Sequence, residues 1–175
     1  MLASANAWLE GPGPGLPGLR QLTPEMQRSW ATRWQLLWAR AVVEDPASVL
    51  PDAEALVRDA PESEQAFAAV LAIVRARLGQ PTADLEPRIA GAVDRRVGHV
   101  HHMLHFLADV RALQGNVAGA VALLREASEN GLPCAPCFEK DPLLDSVRGS
   151  EDYARLEADL ARRDAEYRAA LKGIL

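Results

Sequence analysis

The residues best suited to chemistry lie in two short stretches. All four histidines of the chain fall within His99-Val100-His101-His102-Met103-Leu104-His105, and both cysteines within Cys134-Ala135-Pro136-Cys137. On a helix the pairs His101/His105 and His102/His105 each turn their imidazoles to one side, as zinc or haem ligation requires. The cysteine pair has the spacing of a thioredoxin-type redox couple, in which a helix N-terminus lowers the pKa of the first thiol. Together, His101, His105, Cys134 and Cys137 have the ligand types of a Cys2His2 zinc site, and they form the alternative, metal-binding or thiol-redox reading.

Against that reading, no acidic residue at ligand spacing is counted beside the histidines, and the βαβ scaffold on which CxxC redox chemistry normally sits is absent. The first reading therefore gives the histidines structural or groove-lining roles, leaves the thiols reduced, and expects no metal and no cofactor. No serine, histidine and acid arrangement, no paired acids with a pocket, and no phosphate-cradling loop is found, since the run from Gly11 to Gly18 lacks a following Lys-Ser/Thr. The chain is expected not to be an enzyme.

Composition narrows the class further. The sequence has 175 residues, 49% hydrophobic and 25% charged, enough for one continuous core but not for two. A formal charge of −5 offers no basic footprint for a phosphate backbone, so nucleic acid is not expected as a partner. With no apolar run of membrane-spanning length and no basic, apolar leader, a soluble cytoplasmic protein with no membrane partner is expected.

The elements that must position these residues read as helices throughout, with no alternating pattern of a half-buried strand. Residues 1–22 read as a Gly/Pro-rich arm or linker, because Gly11-Pro12-Gly13-Pro14-Gly15-Leu16-Pro17-Gly18 should let neither helix nor strand propagate. Residues 23–175 read as the helical domain. Thr23 caps a first helix that stops before Asp45-Pro46, and a shorter one runs from about Pro51 to Arg58. A third starts at Glu62 or Ser63 and ends at Gly79, a fourth begins at Thr82, and Gly98 marks the break before a fifth that ends at Gly115. Asn116 caps a sixth that closes at Asn130-Gly131, and a final helix spans roughly Glu151 to Leu171.

Laid against itself, the chain repeats. Leu71 to Gly79 aligns with Leu107 to Gly115 at an offset of 36 residues, and Arg40-Ala41 lies 35 residues upstream of Arg75-Ala76. That period is the period of helix-turn-helix repeats, whose units bury their apolar stripes only by stacking.

From His101 to Leu156 the sequence resembles the terminal tetratricopeptide (TPR) module of bacterial multidomain regulators. The small residues Ala108, Gly115, Ala120 and Ala127 stand at the spacings of that repeat, and Asn130-Gly131-Leu132-Pro133-Cys134 followed by Phe138 to Arg148, with its Asp141-Pro142 pair, resembles the tail of those modules. Arg75 and Arg111 depart from the pattern, which usually has a tyrosine there. The resemblance implies a right-handed stack of about three antiparallel helix hairpins, a TPR-like superhelix closed by a C-terminal capping helix, and a regulatory scaffold that binds a protein or peptide and does no chemistry of its own.

Trp30, Trp34 and Trp38 recur every four residues and read first as core. In the repeat geometry, the positions lining a concave groove are Trp34, Trp38, Ile73, Arg77, His102, His105 and Asp109, and these form the expected partner-binding site. Self-association through the exposed end faces of the stack is a further expectation.

Overall fold

The computed structural model describes residues 8–61, 65–94 and 99–172, and the described residues are helical with no strand. The elements are α1 (Pro12–Arg20), α2 (Pro24–Gln27), α3 (Trp30–Val43), α4 (Pro46–Asp59), α5 (Ala66–Arg77), α6 (Glu86–Asp94), α7 (Val100–Leu113), α8 (Val117–Glu129), α9 (Ala135–Glu139), a 3-10 turn (Pro142–Leu144), α10 (Asp145–Arg148) and α11 (Glu151–Lys172). The expected start at Glu62 or Ser63 and the break at Gly98 lie outside the described residues.

Helices α3, α5 and α7 pack side by side, each followed by the helix it turns back upon, and the closest pairing is α7 with α8. The two stretches that align at the 36-residue offset end alike. Gly79 (φ 68°) and Gly115 (φ 75°) both adopt the left-handed conformation. In both, the next amide reaches back to an equivalent arginine carbonyl, Gln80 to Arg75 at 2.9 Å and Asn116 to Arg111 at 2.8 Å. This is a helix-ending motif that a Cβ at the glycine would strain.

The same arginines also carry charge across the turns. Arg75 pairs with Asp84, and Arg111 with Glu86 at 2.8 Å. Arg75 and Arg111 thus tie each of these helices to the segment that follows or precedes it.

The Gly/Pro run differs from its expected form. Pro12–Arg20 is a helix with Leu16 and Leu19 buried, packed against α3. Pro12 and Pro14 occupy the first turn, where an amide has no intrahelical acceptor, so only Pro17 removes a helical hydrogen bond. The apolar pair on one face outweighs the poor propensity, because tertiary packing rather than propensity stabilises short helices.

The stretch from Thr23 is likewise two helices, not one. Thr23 Oγ1 caps α2, and Ser29, in an extended conformation, restarts the chain as α3. The second expected helix begins earlier, at Pro46, because Asp45 accepts from the Ala47 amide and Pro46 suits the first helical position. Thr82 initiates a turn ahead of α6, which itself starts at Glu86. At the C-terminal end, Ser150 Oγ accepts from the Tyr153 amide at 3.1 Å and opens α11, whose Tyr153, Leu156 and Leu160 cover α8 and α9.

Candidate functional site

The site is built on one face of α7 and on what covers it. The apolar stripe of α7, through Met103, Phe106 and Val110, is buried against α3 and α5, so the intervening positions His102, His105 and Asp109 are carried inward along with it. Facing them from α3, Trp34 and Trp38 are each 1% exposed.

The cover comes from the N-terminal segment. The Trp8 ring stacks on Trp38 at 4.3 Å with an interplanar angle of 10°, and on His102 at 4.2 Å with an angle of 23°. Trp34 and His105 approach the same indole at a tilt, at 6.2 and 5.9 Å. The segment is pinned just beyond: Lys140 Nζ donates to the Leu9 carbonyl at 2.6 Å, and Gly11 (φ 95°) passes so close that an added Cβ would lie 3.2 Å from the Lys140 carbonyl oxygen. Trp8 packs against two apolar clusters among the described residues, one around α1 to α7 and one from the end of α7 through α11.

The seven residues expected to line a groove therefore divide. Trp34, Trp38 and His102 surround Trp8. Ile73 is fully buried in the core and presents nothing to a partner. Arg77 turns back to donate to the carbonyls of Ala41 and of Glu44 (2.9 Å), closing the C-terminal end of α3. His105 and Asp109, both 0% exposed, belong to a separate cluster beneath the indoles. Of these positions, Trp34, Trp38 and His102 are covered by the chain's own Trp8, while Arg77 closes a helix end and His105 and Asp109 are enclosed.

The buried cluster joins His105 and Asp109, one helical turn apart, to Asp141, which begins the 3-10 turn. His105 Nε2 lies 3.1 Å from Asp141 Oδ2 and 3.6 Å from Asp109 Oδ1. Asp141 Oδ1 accepts from the Leu143 amide at 2.9 Å, which fixes that carboxylate. Burial, and next the neighbouring Asp141 carboxylate, push the Asp109 carboxyl well above the usual range. Among the described residues no lysine or arginine pairs with either carboxylate; Arg148 reaches the Asp141 backbone carbonyl instead.

One turn earlier, His99, His101 and His102 form a second group whose ring nitrogens come within 4.8 Å of one another. Burial holds the His102 imidazole down to about 2, with the neighbouring His101, His105 and His99 adding to the effect. Burial, then His99, also lowers His101, against a hydrogen bond to the Asn130 backbone.

The alternative set of His101, His105, Cys134 and Cys137 does not assemble. The two sulfurs are joined as a disulfide across the start of α9, so neither is the reduced thiol expected or a thiolate free to bind metal. His101 instead sits over the Asn130-Gly131 turn, its Nδ1 3.6 Å from the place of a Gly131 Cβ. Sequence reasoning missed an acid that was within reach: Asp109 follows His105 by four residues, which is ligand spacing on a helix. Asp141 was visible only as part of the tail motif, and nothing local signals its approach to α7.

No helix among the described residues is long and apolar enough to cross a membrane. In comparison with known proteins, no family model, no curated protein and no solved structure matches the chain.

Proposed function

We propose that this chain is a TPR-like scaffold that binds a protein segment by taking a tryptophan into the cage formed by Trp34, Trp38 and His102. The single observation that carries the reading is the seat of Trp8 between Trp38 and His102. A flat aromatic held between two stacked rings gains both apolar burial and ring contact, a combination typical of binding hot spots. Trp34 Nε1 and Trp38 Nε1 are buried donors without acceptors, which backbone carbonyls of an incoming segment would suit. The packing of α3, α5 and α7 side by side, each with its following helix, and the matching helix ends at Gly79 and Gly115 support the stacked-hairpin architecture.

On this reading Trp8 is an intramolecular occupant, and a partner's tryptophan competes with it. The effective concentration of a tethered segment is high, so capture is weak until the segment is displaced. The test uses the full chain carrying Trp8→Ala and a labelled peptide with the sequence of residues 4–12. Fluorescence anisotropy should report binding to the Trp8→Ala chain, at least tenfold weaker binding to the unaltered chain, and loss of binding on adding Trp38→Ala. Equal binding to all three chains, or to none, removes the cage as a binding site. Concentration-dependent sedimentation of the unaltered chain would instead assign the cage to a second copy's Trp8.

A further inference from the structure

We propose that His105, Asp109 and Asp141 form a binding site for a first-row divalent cation of the zinc and manganese class, which fastens α7 to the 3-10 turn. The proposal stands apart from the tryptophan cage and needs no partner protein.

Geometry is the first support. The ligand atoms of the three residues all lie within 4.8 Å of one another, and the edges from His105 Nε2 are 3.1 and 3.6 Å. Ligands about 2.0–2.2 Å from a metal stand roughly 3.0–3.5 Å from each other at octahedral or tetrahedral angles, so both edges fall close to a coordination polyhedron.

The second support is the state of the polar atoms. His105 Nε2, both oxygens of Asp109 and Asp141 Oδ2 are buried and make no hydrogen bond. Nε2 and Oδ2 approach to 3.1 Å without hydrogen-bond alignment, as atoms do when directed at a common centre rather than at each other. With His105 Nδ1, which cannot bind the same ion as Nε2, these three side chains hold five such orphans, far outside the native norm for buried polar groups; the ion accounts for the other four.

Charge is the third. Two carboxylates enclosed with one imidazole need a proton or a cation, and among the described residues neither lysine nor arginine pairs with them. A dication neutralises both acids at once. One imidazole with two carboxylates suits zinc, manganese or ferrous iron, and is poorer for the softer cuprous ion, which favours sulfur. The hydrogen bond from the Leu143 amide to Asp141 Oδ1 orients that ligand as an outer-shell contact does. The competing arrangement is a proton shared within the cluster, with Asp109 kept neutral.

The experiment takes the full chain, treats it with EDTA, dialyses it, and adds Zn2+ or Mn2+ alone. One ion per chain should be retained through a second dialysis by elemental analysis, with the melting temperature raised by more than about 5 °C, because an ion that binds only the folded chain stabilises it. Asp109→Asn keeps the shape of the side chain and should abolish retention and the thermal shift, with circular dichroism confirming the fold. Visible absorption of the Co2+-loaded unaltered chain, without thiolate bands, gives a readout that needs no variant. No ion retained by the unaltered chain overturns the proposal. So does retention that survives Asp109→Asn and disappears in His99→Ala/His101→Ala, which moves the metal to the outer histidines. An Asp109→Asn chain as stable as the parent, in a protein that ignores metal, establishes the shared proton instead.

Discussion

Two successive turns of α7 carry polar groups of the same kind into different surroundings. The first turn holds His101 and His102, next to His99, partly open to solvent and neutral by burial and mutual repulsion. The second turn holds His105 and Asp109, fully enclosed and joined by Asp141. A neutral imidazole at the rim carries no charge to compensate, although His102 Nδ1 is itself buried without a hydrogen-bond partner. Beneath the indoles two acids must find a proton or a cation. The difference comes from the acids of the inner turn and from the cover: Asp141 and Phe138 close on His105, and Trp8 lies over the boundary, touching His102 with its face and His105 at a tilt.

The sharpest way to break this contrast is to remove the acid that closes the inner site. Asp141→Ala takes away both the partner of His105 and the acceptor for the Leu143 amide. Losing one member of a buried charged cluster costs about 3–5 kcal/mol. Chemical denaturation should show that loss, and a change under about 1 kcal/mol would mean that the inner cluster contributes little to the fold.

Trp8→Ala tests the cover itself. Trp8 is only half-buried but stacks on two rings, so the expected loss is about 2–3 kcal/mol, less than for a fully enclosed tryptophan. Amide exchange should rise along the 99–105 stretch and around Lys140, which loses its seat for Leu9. Protection unchanged in both places would separate the N-terminal segment from the site.

This contrast was only partly legible in the sequence. The helix ends at Gly79, Gly115 and Gly131 could be read, because a glycine after an apolar periodic run has a local cause. The fate of Pro12–Arg20 could not, since its helix depends on Leu16 and Leu19 meeting α3 across the fold. The same limit hid the cage. Trp34, Trp38 and His102 fall on the concave positions by repeat spacing, but Trp8 reaches them from an arm read as a linker. Arg77 illustrates a further limit: a long cationic side chain at a groove position has many acceptors within reach, and here it takes the backbone carbonyls at the end of α3.

The outer histidines give the next effect in size. His102 is held to about 2 in the folded chain, below the ordinary histidine value near 6.5, so the unfolded chain binds its proton first as the pH falls. Stability is therefore present above about pH 6.5 and lost progressively below it, by up to about 2 kcal/mol between pH 7 and pH 5 for one such group. His101, His105 and His99 face the same ring and oppose its protonation. Replacing His102 with Phe keeps a ring against Trp8 and removes the titration, so denaturation curves at the two pH values should move closer together. An unchanged difference between them would place the acid sensitivity in another group.

The smallest effect is expected where the two turns differ most from each other. His99→Ala removes an exposed imidazole whose ring contacts among the described residues are loose, 5.6 Å from His102 and about 6 Å from Trp34 and from His101. A surface substitution of that kind changes stability by less than about 0.5 kcal/mol. It also removes one neighbour that opposes protonation of His101 and His102. NMR titration of the histidine ring protons should therefore show His101 rising slightly in the variant while the melting temperature stays where it was. A melting temperature that falls as far as in Trp8→Ala would mean that the outer turn, for all its exposure, bears the same structural burden as the enclosed one.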